Sequence, residues 1–320
     1  MPRFQDFVPQ GVIPACLLPF HDDFAIDEAG YRKHLRDVAG VRGITAVTVN
    51  AHASEAHACT FEEQERVLEI TLDELGDRVP VVNGVSADGS HQAARIARMA
   101  ARAGASCLLV FPPNSMVMGG QLRPEMALVH FKTIADASDL PIICFQYPMA
   151  SGLGYPFETL LKLLDQVPAI RAVKDWCNDP MLHERHINTL QGLARPVDVL
   201  STHSAWLMSS LVMGCNGLLS GAGSVIADLQ VALFEAVGAD DLTRARALNA
   251  RIYPLVQAFY APPFLDMHNR MKEALVLLGR LDKAVVRPPL MKLSEAELAR
   301  LRTALDAAQI ATEGALGLAA

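Results

Sequence analysis

The sequence predicts a closed (β/α)8 TIM barrel with a small C-terminal helical extension, on two observations. Eight short, apolar, β-rich runs recur at roughly 30-residue intervals, the length of one strand–helix–strand step. Beyond residue 224 the strand-like runs stop and only helical patterns continue. Eight alternating units favour a closed barrel over an open sheet, and a chain of 320 residues accommodates such a barrel with an appendage. The expected division is residues 1–224 for the barrel and 225–320 for the helical region, with no flexible linker between them.

The strands are expected at 11–18, 44–49, 79–83, 106–111, 141–145, 169–174, 197–201 and 216–220. Between them, 61–75 places Val67, Ile70, Leu72 and Leu75 among charges at helical spacing, and 92–103 and 124–135 are similarly amphipathic. The tail predicts helices over 229–237, 242–259, 269–278 and 294–308. In the last of these, Ser294 followed three residues later by Glu297 has the form of a capping box.

Composition removes several classes of function. Apolar residues make up 51% and charged residues 20%, enough for a core and too little charge for disorder. The net charge is −7 with no Lys/Arg cluster, so nucleic acid and anionic membrane are set aside as partners. No apolar run reaches the ~18–20 residues that span a bilayer, and Met1–Asp6 has no leader pattern. The six cysteines are scattered, without a C-x-x-C pair; they are expected to be buried thiols of a cytoplasmic protein, neither disulfides nor a zinc site.

In a barrel of this kind, reactive groups gather at the C-terminal ends of the strands. Of seven lysines only Lys174 ends an apolar strand, on the same face as Ile170 and Ala172. If that face is the interior, the ammonium is desolvated and its pKa falls, and a neutral amine can attack a ketone to form a Schiff base. The competing reading is a lysine that snorkels to solvent.

Four segments then resemble the dihydrodipicolinate synthase/N-acetylneuraminate lyase family of Schiff-base lyases. Lys272-Glu273-Ala274-Leu275 through Gly279, followed by Arg287-Pro288-Pro289-Leu290, is similar to its closing signature. Ala172-Val173-Lys174-Asp175 is similar to its Schiff-base motif, and Ala51–Glu55 with Thr60–Glu63 to its strand-2 motif. The stretch 141–152 falls at its strand-5 motif. The resemblance implies a class I lyase with Lys174 as the Schiff-base residue, no metal or other cofactor, and a homotetramer built as a dimer of dimers.

The departures bear on the substrate. The family's strand-5 tyrosine corresponds to Phe145, which lines a pocket but relays no proton; Tyr147, two residues on, is a candidate replacement. The family's carboxylate-binding hydroxyl residues become His52 and Ala53, leaving backbone amides with Ser54 as an added donor. Ala150 stands where true synthases carry an arginine for a second carboxylate, and Asn114-Ser115 follow Pro112-Pro113 where a tyrosine is usual. The resemblance therefore supports an oligomer, but the loop 112–120, lacking that tyrosine, does not support a shared site. His52 and His203, at the ends of strands 2 and 7, are candidate acid/base groups, with His57 a weaker one. Ser220, ending strand 8, is a further substrate-binding candidate, and Trp176 either walls the pocket or packs on the helix-6 side. Ser54-Glu55 and Ala150-Ser151-Gly152 are similar to the branch that dehydrates 2-keto-3-deoxy sugar acids.

The expected activity is thus an aldolase or dehydratase acting on a pyruvate-type 2-oxo acid or a 2-keto-3-deoxy sugar acid, and not a true dihydrodipicolinate synthase. Two rivals stand beside it: a catalytically silent 2-oxo-acid-binding or regulatory protein, and a metal-dependent barrel hydrolase, which would make the Arg287–Leu290 match accidental.

Overall fold

The computed structural model describes Phe4 and residues 7–310. All of the Met1–Asp6 stretch except Phe4, and residues 311–320 of the C-terminal region, lie outside the described residues. Eight parallel strands form the barrel: β1 (Gly11–Pro14), β2 (Val47–Val49), β3 (Val81–Val85), β4 (Cys107–Val110), β5 (Ile142–Gln146), β6 (Ile170–Asp175), β7 (Asp198–Ser201) and β8 (Gly217–Ser220). They pair in sequence order, β1 also joins β8, and Thr45 and Cys16 amides donate to Val12 and Thr48 carbonyls to close the ring between β1 and β2. The fold is a TIM barrel.

Eight helices alternate with the strands: α1 (Glu28–Ala39), α2 (Phe61–Leu75), α3 (Ser90–Ala103), α4 (Pro124–Ala135), α5 (Phe157–Gln166), α6 (Pro180–Leu190), α7 (Leu207–Val212) and α8 (Gly223–Gly238). Each lays an apolar stripe on the sheet; α2 buries Val67, Ile70, Leu72 and Leu75. Three more, α9 (Leu242–Phe259), α10 (Met267–Leu277) and α11 (Glu295–Ala307), pack on one another, with α9 and α10 also against α8. Residue 224, the expected domain boundary, falls in the first turn of α8.

Two local differences from the sequence reading have clear causes. The first strand stops at Pro14 rather than reaching residue 18, because the Leu17 amide turns to His34 Nε2 and Ser224 Oγ, each at 3.2 Å, instead of a neighbouring strand. The eighth helix begins at Gly223, six residues before the apolar periodicity is regular, with a kink at Ile226. The expected capping box forms between Ser294 and Glu297, and Thr60 with Glu63 makes a second one at the start of α2.

Glu63 and Glu297 do double duty. Glu63 also takes both guanidinium NH2 groups of Arg287, and Glu297 accepts from Arg270 at 3.2 Å. Glu297–Arg270 ties α11 to α10, and the Glu63–Arg287 pair fastens the C-terminal segment to the strand-2 side of the barrel. A buried ion pair between Lys272 and Glu55 makes the same connection, with the Arg287 amide on the second Glu55 oxygen at 3.0 Å.

Candidate active site

Lys174 sits in register with Phe145 of β5 and Leu200 of β7, with only 7% of its surface exposed. Alternation along β6 turns Arg171 out to solvent and Lys174 inward. Its Nζ lies 4.0 Å from the Phe145 ring centroid, and burial lowers its pKa to about 7. A sizeable fraction of this amine is therefore uncharged near neutral pH.

The amine opens into a small cavity at the barrel mouth. Ala15, Ala51, His52 and Ala53 line one side; Phe145, Trp176, Thr202 and Gly221 continue around it. The cavity is roofed by Tyr260, Phe264, Met267 and His268, from the α9–α10 junction. Rings dominate this wall: Trp176 stacks on Phe264 at 5.1 Å, and Tyr147 meets Trp176 edge-on at 5.4 Å. Among the described residues, no carboxylate and no arginine lines the cavity.

The polar groups are few and neutral. Tyr147 Oη lies 3.1 Å from His52 Nε2. Burial, reinforced by the charges of Lys174 and His57, lowers His52 to about 3, and burial raises the Tyr147 phenol. Neutral imidazole beside intact phenol is a donor–acceptor pair able to pass a proton. His268 is also held neutral by burial, and a side chain at position 221 would come within 2.9 Å of its Nε2, so Gly221 leaves it room. His52 and Ala53 begin a one-turn 3-10 helix whose first amides have no carbonyl within the turn to bond.

The chain matches the model of the dihydrodipicolinate synthetase family over residues 8–308. It belongs to that family. Members of the dihydrodipicolinate synthetase family are lyases that bind pyruvate-type substrates. The chain is 31% identical over 315 residues to the 4-hydroxy-tetrahydrodipicolinate synthase of Methanopyrus kandleri, covering 96% of this chain and 99% of that one. It is 32% identical over 305 residues to the enzyme of that name from Kineococcus radiotolerans, covering 94% and 93%. Among solved structures, a prophage family member from E. coli K12 in complex with pyruvate superposes with a TM-score of 0.86 at 24% identity, covering 95% and 99%. A family protein from Pseudomonas aeruginosa gives 0.84 at 23%, covering 93% and 99%.

Within this family frame, the candidates read from the sequence fall into three groups. Lys174, Phe145, His52, Ala53 and Trp176 line one cavity, and Tyr147 joins them through His52. Ser54 and Ser220 are set back: Ser54 Oγ donates to the Cys16 carbonyl at 2.9 Å, and Ser220 Oγ meets Ser204 and Gln230. Neither hydroxyl lines the cavity, because each ties strand ends together behind it. His57 is exposed on its loop.

His203 departs most from expectation. Thr202 faces the cavity, so the next residue turns to the far side of the sheet rim, where His203 stacks on Trp206 at 4.1 Å. There it lies beside Asp175, Cys177 and His183. Two acidic groups near the rim are also turned away, Glu55 toward Lys272 and Asp175 toward His183 and His186. Sequence reading missed Tyr260, Phe264 and His268; the one available signal is the aromatic run Phe259-Tyr260 and Phe264 around Pro262-Pro263, interrupting an otherwise helical tail.

Proposed function

We propose that this protein is a Schiff-base-forming lyase, an aldolase or dehydratase, acting on a 2-oxo acid of pyruvate type or a 2-keto-3-deoxy acid. One observation carries the reading: a lysine amine of depressed pKa, buried at a strand end and open to a cavity. Lys174 Nζ attacks the C2 carbonyl, water leaves, and an iminium remains. The substrate carboxylate lies against the amides of His52 and Ala53. Loss of a C3 proton, or cleavage of C3–C4 with the C4 hydroxyl carbon leaving as an aldehyde, puts an electron pair into the iminium and gives an enamine. In a dehydration that pair then expels the C4 hydroxyl as water and leaves an unsaturated iminium; in a cleavage it takes up a proton at C3. Tyr147 and His52 move the proton, and water releases the product and the lysine.

Phe145 cannot relay a proton, but its ring face under Nζ favours the iminium cation. The wall of Trp176, Tyr260 and Phe264 suits an apolar or aromatic substituent beyond C3. Ala150, with no arginine at the cavity, argues against the dicarboxylate chemistry named for the synthases above. A homotetramer is the proposed assembly.

A panel of 4-hydroxy-2-oxo acids with different C4 substituents tests this, with pyruvate release followed by a coupled dehydrogenase and dehydration followed by mass spectrometry of the products. Turnover of aryl- or alkyl-substituted members, with none for a dicarboxylate, is the expected result. The Phe145 substitution favours one other reading, a silent 2-oxo-acid-binding protein, which saturable binding without turnover across the panel would establish instead.

A further inference from the structure

Behind the catalytic face lies a second cluster. Asp175 ends β6 with its side chain on the opposite face from Lys174, Cys177 follows two residues later, His183 comes from α6, and His203 follows β7. One donor atom from each lies within 4.8 Å of the other three, and all four residues are buried. Cys177 Sγ is 3.9 Å from His203 Nε2, which is 4.0 Å from an Asp175 oxygen. His183 Nδ1 is 2.8 Å from the other. Ligand atoms around a tetrahedral zinc, with bonds of ~2.0–2.3 Å, sit roughly 3.3–3.8 Å apart. To reach that geometry the longer separations close by roughly 1 Å and the hydrogen-bonded His183–Asp175 pair opens by about 0.5 Å.

Two further observations point to a cation. The His203 side chain is completely buried, its Nδ1 has no partner among the described residues, and its Nε2 has only the long contacts to Cys177 Sγ and an Asp175 oxygen. A buried imidazole without a normal hydrogen bond calls for an explanation. The surroundings also have the form of an outer shell. Ser210 Oγ donates to Ser201 at 2.6 Å and so accepts from His183 Nε2–H at 2.7 Å, aiming Nδ1 at the cluster centre. His186 Nδ1 lies 2.7 Å from Asp175 Oδ2, and the Cys177 amide donates to Oδ1 at 2.8 Å. Metal-binding histidines and carboxylates are commonly oriented in this way.

We propose that Asp175, Cys177, His183 and His203 bind one zinc-type divalent ion in a closed, tetrahedral, structural site. The mixed nitrogen, sulfur and oxygen donors favour zinc or cobalt over magnesium or calcium. Binding displaces the thiol proton of Cys177 and the Nδ1 proton of His183 to solvent, with no redox change. The carboxylate and thiolate then balance the ion's charge. None of the four lines the cavity, so the ion takes no part in the reaction; it fastens the β6 exit, and with it Trp176, to α6 and β7.

The test begins with the full chain, purified without chelator or metal resin and assayed for metal by mass spectrometry, then stripped and titrated with Co2+. Expected are about one zinc per chain, cobalt bands of tetrahedral type, and a thiolate-to-cobalt charge-transfer band. The protein's only two tryptophans, Trp176 between two ligands and Trp206 on His203, should be quenched by Co2+. Cys177→Ser should abolish the charge-transfer band and weaken binding by more than the ~10–100-fold that loss of an outer-shell partner brings. If that variant does not fold, the band in the unaltered protein decides alone. No uptake of zinc or cobalt, or uptake without the charge-transfer band, as exposed His21, His57 and His91 would give, overturns the proposal.

Discussion

The Tyr147 hydroxyl lies 3.1 Å from His52 Nε2, joining the end of β5 to the loop after β2 across the barrel mouth. Phe145, the residue under the lysine, is in ring contact with both, at 4.5 Å from Tyr147 and 6.1 Å from His52. A phenol displaced by two residues from the family position thus shares a ring cluster with the amine. Tyr147→Phe removes the proton carrier and keeps the ring. It should lower kcat by roughly 100-fold or more with KM nearly unchanged, because general acid–base catalysis contributes ~10²–10⁴-fold. Steady-state kinetics on the best panel substrate checks this; an unchanged kcat removes Tyr147 from the relay.

The amine should set a pH profile. Burial lowers Lys174 to about 7, so the nucleophilic form grows as pH rises through that value. Stopped-flow rates of pyruvate adduct formation should climb from pH 6 and level off above about 8. A rate still climbing steeply to pH 10 would mean an ordinary, solvated lysine.

The same burial costs stability. The desolvation penalty on Lys174 is complete below its folded pKa and fades as pH rises toward the unfolded value of 10.5. Lys174→Met should therefore abolish adduct formation yet stabilise the fold, by on the order of 3 kcal/mol at pH 6.5 and less at pH 9. Urea midpoints of both proteins at the two pH values measure it.

The Lys272–Glu55 pair holds the C-terminal helices to the strand-2 loop, where Glu55 adopts a left-handed backbone with φ of 49°. Removing one partner leaves a buried charge. Lys272→Met should cost about 3–5 kcal/mol, and the double variant with Glu55→Gln should recover part of it. A denaturant series over the four proteins gives the coupling; simple additivity would show that the two side chains act independently.

Much of this architecture was readable from pattern. The barrel follows from strand spacing, and α2, α4 and α9 fall where apolar periodicity places them. Lys174 stood out as the one lysine ending an apolar strand, a local property. His52 and Tyr147 were separately nameable, but a contact spanning 95 residues has no local signal. His203 was a candidate only because it lies at the end of strand 7, and position at a strand end does not say which face a side chain takes. At the exit of β7 the chain presents Thr202 inward, and His203 goes the other way. The Tyr260–Phe264–His268 roof was hidden because helical periodicity in the tail gives no indication of which opening it covers.

The claim on which the functional account rests is that Lys174 captures a ketone. Pyruvate added with borohydride, followed by peptide mass mapping, tests it most directly. The account predicts a reduced adduct on Lys174 and on none of the six other lysines, absent in Lys174→Met. A folded protein that yields no adduct, or one spread over surface lysines, contradicts it.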